Sequence, residues 1–114
     1  MWPPVHDHGM TSYGETANGQ HIDLALNDEF EILLPETRTA GYRWSVHKDG
    51  GPACELIGEK SQPNTAGVGG SGTHQWRFRG VSVGASEIEI HYTRPWAGKP
   101  EAARVFRLGI QVHT

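Results

Sequence analysis

A single cysteine, Cys54, is all the thiol this 114-residue chain has. No internal disulfide can form and no Cys-x-x-Cys metal or redox pair exists, so stability must come from packing. Cys54 itself reads as a small buried apolar side chain, because no local pattern supplies the base that a nucleophilic thiol needs. Long apolar runs are missing too. Nothing approaches the roughly 20 residues of a membrane-spanning helix, and Met1-Trp2-Pro3-Pro4 has neither the basic start nor the apolar run of a signal peptide. No membrane partner and no export leader are expected from these residues, and the compartment stays open. Excess positive charge is also absent. Ten Lys and Arg stand against thirteen Asp and Glu, a formal net charge of -3, which removes the electrostatic basis for binding nucleic acid.

Catalytic signatures are equally scarce. The glycine-rich run Gly67 to Gly72 lacks the Gly-Lys-Ser or Gly-Lys-Thr ending of a phosphate-binding loop. No Gly-x-Ser-x-Gly elbow and no His-Glu-x-x-His occurs, and Glu87 and Glu89 fall on an outward strand face where solvation is the ordinary state. The chain is therefore not expected to be an enzyme or to hold a cofactor. His6-Asp7-His8, with His21 nearby in sequence, offers ligand types that suit zinc or nickel, but a tail supplies no second shell, and no metal is expected. His74 and His91 fall on different strands and are assigned no chemistry.

What is present is a period of two. Residues 1–20 hold two prolines, three glycines and two histidines without any period and read as a flexible extension, with a folded domain over 21–114. From His21 onward short alternating runs are separated by turn residues, and no window of about 12 residues carries a helical apolar stripe. Ile22, Leu24 and Leu26 give one strand face, then Asn27-Asp28 turns. Phe30, Ile32 and Leu34 follow, then Tyr42, Trp44 and Val46, before Lys48-Asp49-Gly50-Gly51-Pro52 breaks the run. A weaker strand covers Cys54 to Lys60. Trp76 and Phe78 point inward with Gln75, Arg77 and Arg79 outward, Gly80 to Gly84 bends, and Ile88, Ile90 and Tyr92 lead to a last strand bearing Phe106, Leu108, Ile110 and Val112. About seven such strands predict an all-β, immunoglobulin-like two-sheet sandwich. Trp44 and Trp76 are expected in its core.

If the strands from Phe30 onward alternate in direction, three connections fall at one end: Pro35 to Gly41, Gln62 to Gly72 and Thr93 to Glu101. These segments hold nearly everything that packing does not need. They comprise Thr37-Arg38-Thr39-Ala40-Gly41, Gly67-Val68-Gly69-Gly70 and Arg94-Pro95-Trp96. Trp96 breaks the alternation on a turn stiffened by Pro95, so its ring would be presented with little entropy left to lose. That marks it as a binding anchor. Three unusual loops on one edge make a composite binding surface.

A Thr-rich loop ending in glycine before an aromatic-x-Trp strand, then Gly-x-Gly-Gly, then Arg-Pro-Trp, resembles the chagasin family of cysteine peptidase inhibitors. The likeness covers about His21 to Thr114 and is most specific at Tyr92-Thr93-Arg94-Pro95-Trp96-Ala97-Gly98. The resemblance implies a sandwich whose three loops enter the cleft of papain-like cysteine peptidases and block it reversibly, with the chain a monomer when free. It implies that Thr37, Arg38, Thr39, Ala40 and Gly41 lie over the catalytic cysteine and histidine. It places Gly67, Val68, Gly69 and Gly70 along the non-primed side, and Arg94, Pro95 and Trp96 on the primed side. The first loop departs from the family's Asn-Pro-Thr-Thr-Gly, keeping only Thr39 and Gly41 and adding the cation of Arg38. The alternative from the residues alone is a sandwich module that binds carbohydrate or a cell-surface protein through the same edge.

Overall fold

The computed structural model describes residues 10–37, 42–63, 71–94 and 104–114. Among them are eight strands and no α-helix: β1 Met10–Tyr13, β2 Gln20–Ala25, β3 Glu29–Thr37, β4 Arg43–Asp49, β5 Cys54–Pro63, β6 Ser71–Gly80, β7 Gly84–Thr93 and β8 Arg104–His113. They form two four-stranded sheets, in the orders β1-β3-β6-β5 and β2-β8-β7-β4. The sandwich expected from the alternation is present. Strands β2 to β8 fall on the seven predicted segments, and β4 runs on to Asp49 past a bulge between Val46 and Lys48.

Side chains two residues apart face the same way along a strand, so the apolar positions converge between the sheets. Phe30, Ile32, Trp76, Phe78, Ile88, Ile90, Leu108 and Val112 are wholly buried, and Trp44 is buried behind them. Cross-strand register sets the ring contacts. Phe30 lies opposite Phe78 and stacks on it at 5.3 Å, while Trp44 meets Trp76 edge-on at 6.1 Å and Tyr92 at 4.5 Å. Burying aromatics of this size stabilises the sandwich by roughly 2 to 3 kcal/mol each.

One expectation needs correction. Residues 10–20 are not a flexible extension. β1 pairs in parallel with β3, a turn of 3-10 helix covers Glu15–Ala17, and Tyr13 packs edge-on against Phe30 at 5.8 Å. The folded unit thus reaches back to Met10, through one apolar ring and an edge ladder too short to show a period. Residues 1–9, including His6-Asp7-His8, lie outside the described residues. Gln75, Arg77 and Arg79 lie on the outward face of β6 as the alternation predicts, but that face is not all solvated. Gln75 is buried and donates to the Glu31 carboxylate at 2.8 Å, and Arg77 is largely covered, 3.7 Å from Glu29. β6 is an inner strand, and the side chains of β3 and β5 shade its polar face.

Cys54 is buried as expected, and burial pushes its thiol up to about 11. Its amide donates to the Gly50 carbonyl at 2.7 Å. Glycine is required at that position, where φ is +86° and a Cβ would sit 2.9 Å from that of Cys54. Because the thiolate is the reactive form, the native protein is expected to resist a disulfide reagent near about pH 8 and to titrate one thiol once unfolded. A native thiol that reacts at the rate of a free one would contradict this burial.

Candidate functional site

The six strand ends that border the three unusual connections lie together. In the first sheet Thr37, the last residue of β3, pairs with Ser71, the first of β6, and Pro63, the last of β5, pairs with Gly72. In the second sheet Arg43 at the start of β4 pairs with Thr93 at the end of β7, and Tyr92 pairs with Arg104 at the start of β8. The two groups are at the same end of the sandwich, because Trp44 of β4 donates its indole N–H to the Pro35 carbonyl of β3 at 3.0 Å. Connections 38–42, 64–70 and 94–103 therefore leave from, and return to, one rim.

Of the residues singled out in the sequence, Arg38, Thr39, Ala40, Gly41, Gly67, Val68, Gly69, Gly70, Pro95 and Trp96 lie outside the described residues. Thr37 closes the ladder of β3, and Arg94 follows β7 as an exposed side chain. The Arg94 guanidinium stands 5.6 Å from the ring centre of Tyr42, which stacks on Tyr92 at 5.2 Å, and Arg104 stands 5.7 Å from the Tyr92 ring on β7. Cations over aromatic faces are attracted by the ring quadrupole. This file of side chains joins the far stem of the first connection to both stems of the third. Arg104 also reaches Glu15 at 2.6 Å, so the 3-10 turn ahead of β2 is fastened to the same stem. Beneath lies a recess of about 290 Å³ bounded by Leu34, Trp44, Phe106 and the Arg104–Glu15 pair.

A polar cluster under the same rim escaped the sequence reading. Glu36 of β3 follows Leu34 at the period of two onto the inner face, and it is buried. Ser61 donates to one of its carboxylate oxygens at 2.6 Å, and His74 Nδ1 lies 2.9 Å from the other. His74 Nε2 lies 2.7 Å from Glu59, and the imidazole stacks on Trp76 at 4.3 Å. A buried carboxylate needs such partners to hold its charge. Glu36, Glu59, Ser61 and His74 are 15 to 38 residues apart in the chain for the bonded pairs, so only the sheet register brings them together.

Other polar groups lie elsewhere. On the outer face of the second sheet Glu89 accepts from His91 at 2.6 Å and from Arg107 at 3.1 Å. These bonds, that of His91 first, hold its carboxyl below the usual range. Glu89 and His91 are largely covered while Arg107 is exposed, which limits what the Arg107 pair contributes to stability. Among the described residues no group of three or more His, Cys, Asp or Glu is arranged to hold a metal ion.

Fold and rim together define a binding protein of immunoglobulin-like architecture, a stable sandwich that offers loops at one end. Residues 23–110 match the family model described as chagasin family peptidase inhibitor I42. The chain belongs to that family, a family of inhibitors and not of enzymes. It is 32% identical over 104 residues to Amoebiasin-1 of Entamoeba histolytica, covering 89% of this chain and 98% of that protein. The crystal structure of the cysteine protease inhibitor EhICP2 from the same organism superposes with a TM-score of 0.78 at 18% identity, covering 92% of this chain and 96% of that one. PbICP-C, solved in complex with falcipain-2, superposes with a TM-score of 0.53 at 16% identity, covering 96% and 94%. These two structures are similar in fold.

Proposed function

We propose that this protein is a reversible inhibitor of papain-like cysteine peptidases and that the rim carrying connections 38–42, 64–70 and 94–103 enters the peptidase cleft. The observation that carries this is the meeting of all six stems at one end, which lets three loops act as a single wedge. Family membership supplies the inhibitory class, and the complex of PbICP-C with falcipain-2 supplies the kind of partner.

In this reading Thr37, Arg38, Thr39, Ala40 and Gly41 cover the catalytic cysteine and histidine. Gly67, Val68, Gly69 and Gly70 follow the non-primed side, where missing side chains let backbone approach the enzyme. Arg94, Pro95 and Trp96 pack on the primed side. Blocking needs no chemistry from the inhibitor. The loops occupy the cleft without seating an extended scissile segment, and the sandwich holds them there. An interface of standard size, about 800 Å² on each partner, with a few anchors would suffice.

The test is a panel of papain-like cysteine peptidases, with serine and metallopeptidases as controls, titrated with the purified protein. Reversible, competitive inhibition confined to the papain-like enzymes is the expected result. Absence of inhibition across the panel, with binding to glycans instead, would overturn the reading in favour of a carbohydrate-binding edge.

A further inference from the structure

We propose that Glu36, His74 and Glu59 form a proton-dependent brace that positions the first two loops, so that inhibition strengthens as the pH falls. The inference rests on the peptidase-blocking reading of the rim and deepens it. Each member stands next to a loop stem. Glu36 immediately precedes Thr37, the last residue of β3; Glu59 and Ser61 precede Pro63, the last of β5; and His74 follows Ser71, the first of β6. The cluster therefore ties the near stem of connection 38–42 to both stems of connection 64–70.

The proton requirement follows from counting donors. Both ring nitrogens of His74 face carboxylate oxygens, Nδ1 at 2.9 Å from Glu36 and Nε2 at 2.7 Å from Glu59. A neutral imidazole has one N–H and one lone pair, so it can satisfy one of these contacts and sets a lone pair against an anionic oxygen at the other. The imidazolium satisfies both. Around the ring, β3 contributes Glu36, β5 contributes Glu59 and Ser61, and β6 contributes Trp76 beneath the ring. Lys60 and Gln75 pair on the opposite face of the sheet, and across the sandwich β4 presents Trp44 to Trp76.

Loss of the proton releases one side selectively. Glu36 is 3% exposed and still accepts from Ser61, whereas Glu59 is 45% exposed and can turn to water. The bond to Glu59 is the one that breaks, and with it the cross-strand tie between β5 and β6 beside the second loop. The sign follows from the donor count: the brace is complete when the ring carries both protons and opens in the neutral form, so it weakens toward higher pH.

Inhibition constants of the wild type, His74→Gln and Glu59→Gln should be measured from about pH 5 to 8 against one papain-like peptidase. A small active-site inhibitor measured in parallel corrects for the enzyme's own titration. The wild type is expected to weaken about fivefold across the range, the size of one partly exposed charged hydrogen bond, while both variants give flat profiles. Amide exchange of residues 71–74, corrected for its intrinsic pH dependence, should show protection lost at high pH in the wild type and unchanged in His74→Gln. Parallel profiles for wild type and variants would overturn the brace and leave the peptidase reading standing. If the wild type inhibits nothing at any pH, that reading falls and takes the claim about inhibition with it. The exchange comparison then decides the brace alone: a difference from His74→Gln supports it, and no difference overturns it.

Discussion

Replacing Trp96 with alanine is expected to raise the inhibition constant about thirtyfold or more, a loss of roughly 2 kcal/mol, while the melting temperature stays where it was. Two arguments meet here. A proline restricts φ at the position before the indole, which lowers the entropy a loop of this sequence would lose on binding, and a large aromatic surface desolvated at an interface is a common kind of hot spot. The stems on either side have ladder bonds and ring contacts of their own. Tyr92 pairs with Arg104 and Arg43 with Thr93, and the rings of Tyr42 and Tyr92 stack below. A binding defect with an intact fold is thus the outcome that separates an anchor from a core residue. Unchanged potency against a peptidase that the wild type inhibits would move the anchor to another loop.

Trp44→Ala is expected to cost about 3 to 5 kcal/mol of folding free energy, and it acts on the opposite quantity. The indole is buried between Trp76 and Tyr92, and its N–H is bonded to the Pro35 carbonyl of the facing sheet. Truncation leaves a cavity where the two sheets meet at the rim and deprives a carbonyl of its donor. For a domain of this length the melting temperature should fall by on the order of 15 °C. Trp44→Phe keeps most of the packing and loses the bond, so it should cost about 1 kcal/mol. Chemical denaturation of the three proteins would read this series. Equal stability of Trp44→Ala and wild type would mean that the two sheets are joined at this end by something else.

Glu36 shows where a reading of the chain reached its limit. Its position on the inner face is dictated by the same period of two that placed Phe30, Ile32 and Leu34, yet a carboxylate continuing an apolar stripe gives no hint of its partner. Ser61 and His74 lie 25 and 38 residues further on. β1 was hidden for a related reason. Met10–Tyr13 is four residues long and its pairing is with β3, so its order comes from the edge of a sheet that only the rest of the molecule builds. Gln75 was rightly turned outward by the alternation, but its burial depends on Glu31 of the neighbouring strand.

The alternation from Ile22 to Val112, the turn residues at Asn27-Asp28 and Gly50-Gly51, and the motifs ending in Arg94-Pro95-Trp96 were enough to give the sandwich, its core and the family likeness. Those properties are local, since which way a side chain faces depends on its own strand. Which strands lie side by side, and which ends meet, depends on hydrogen bonds between residues tens of positions apart. For that reason the joining of the sheets through Trp44 and Pro35, the fastening of Arg104 to Glu15, and the Glu36–His74–Glu59 cluster, set by the register of β3, β6 and β5 within one sheet, were decided only by the tertiary structure.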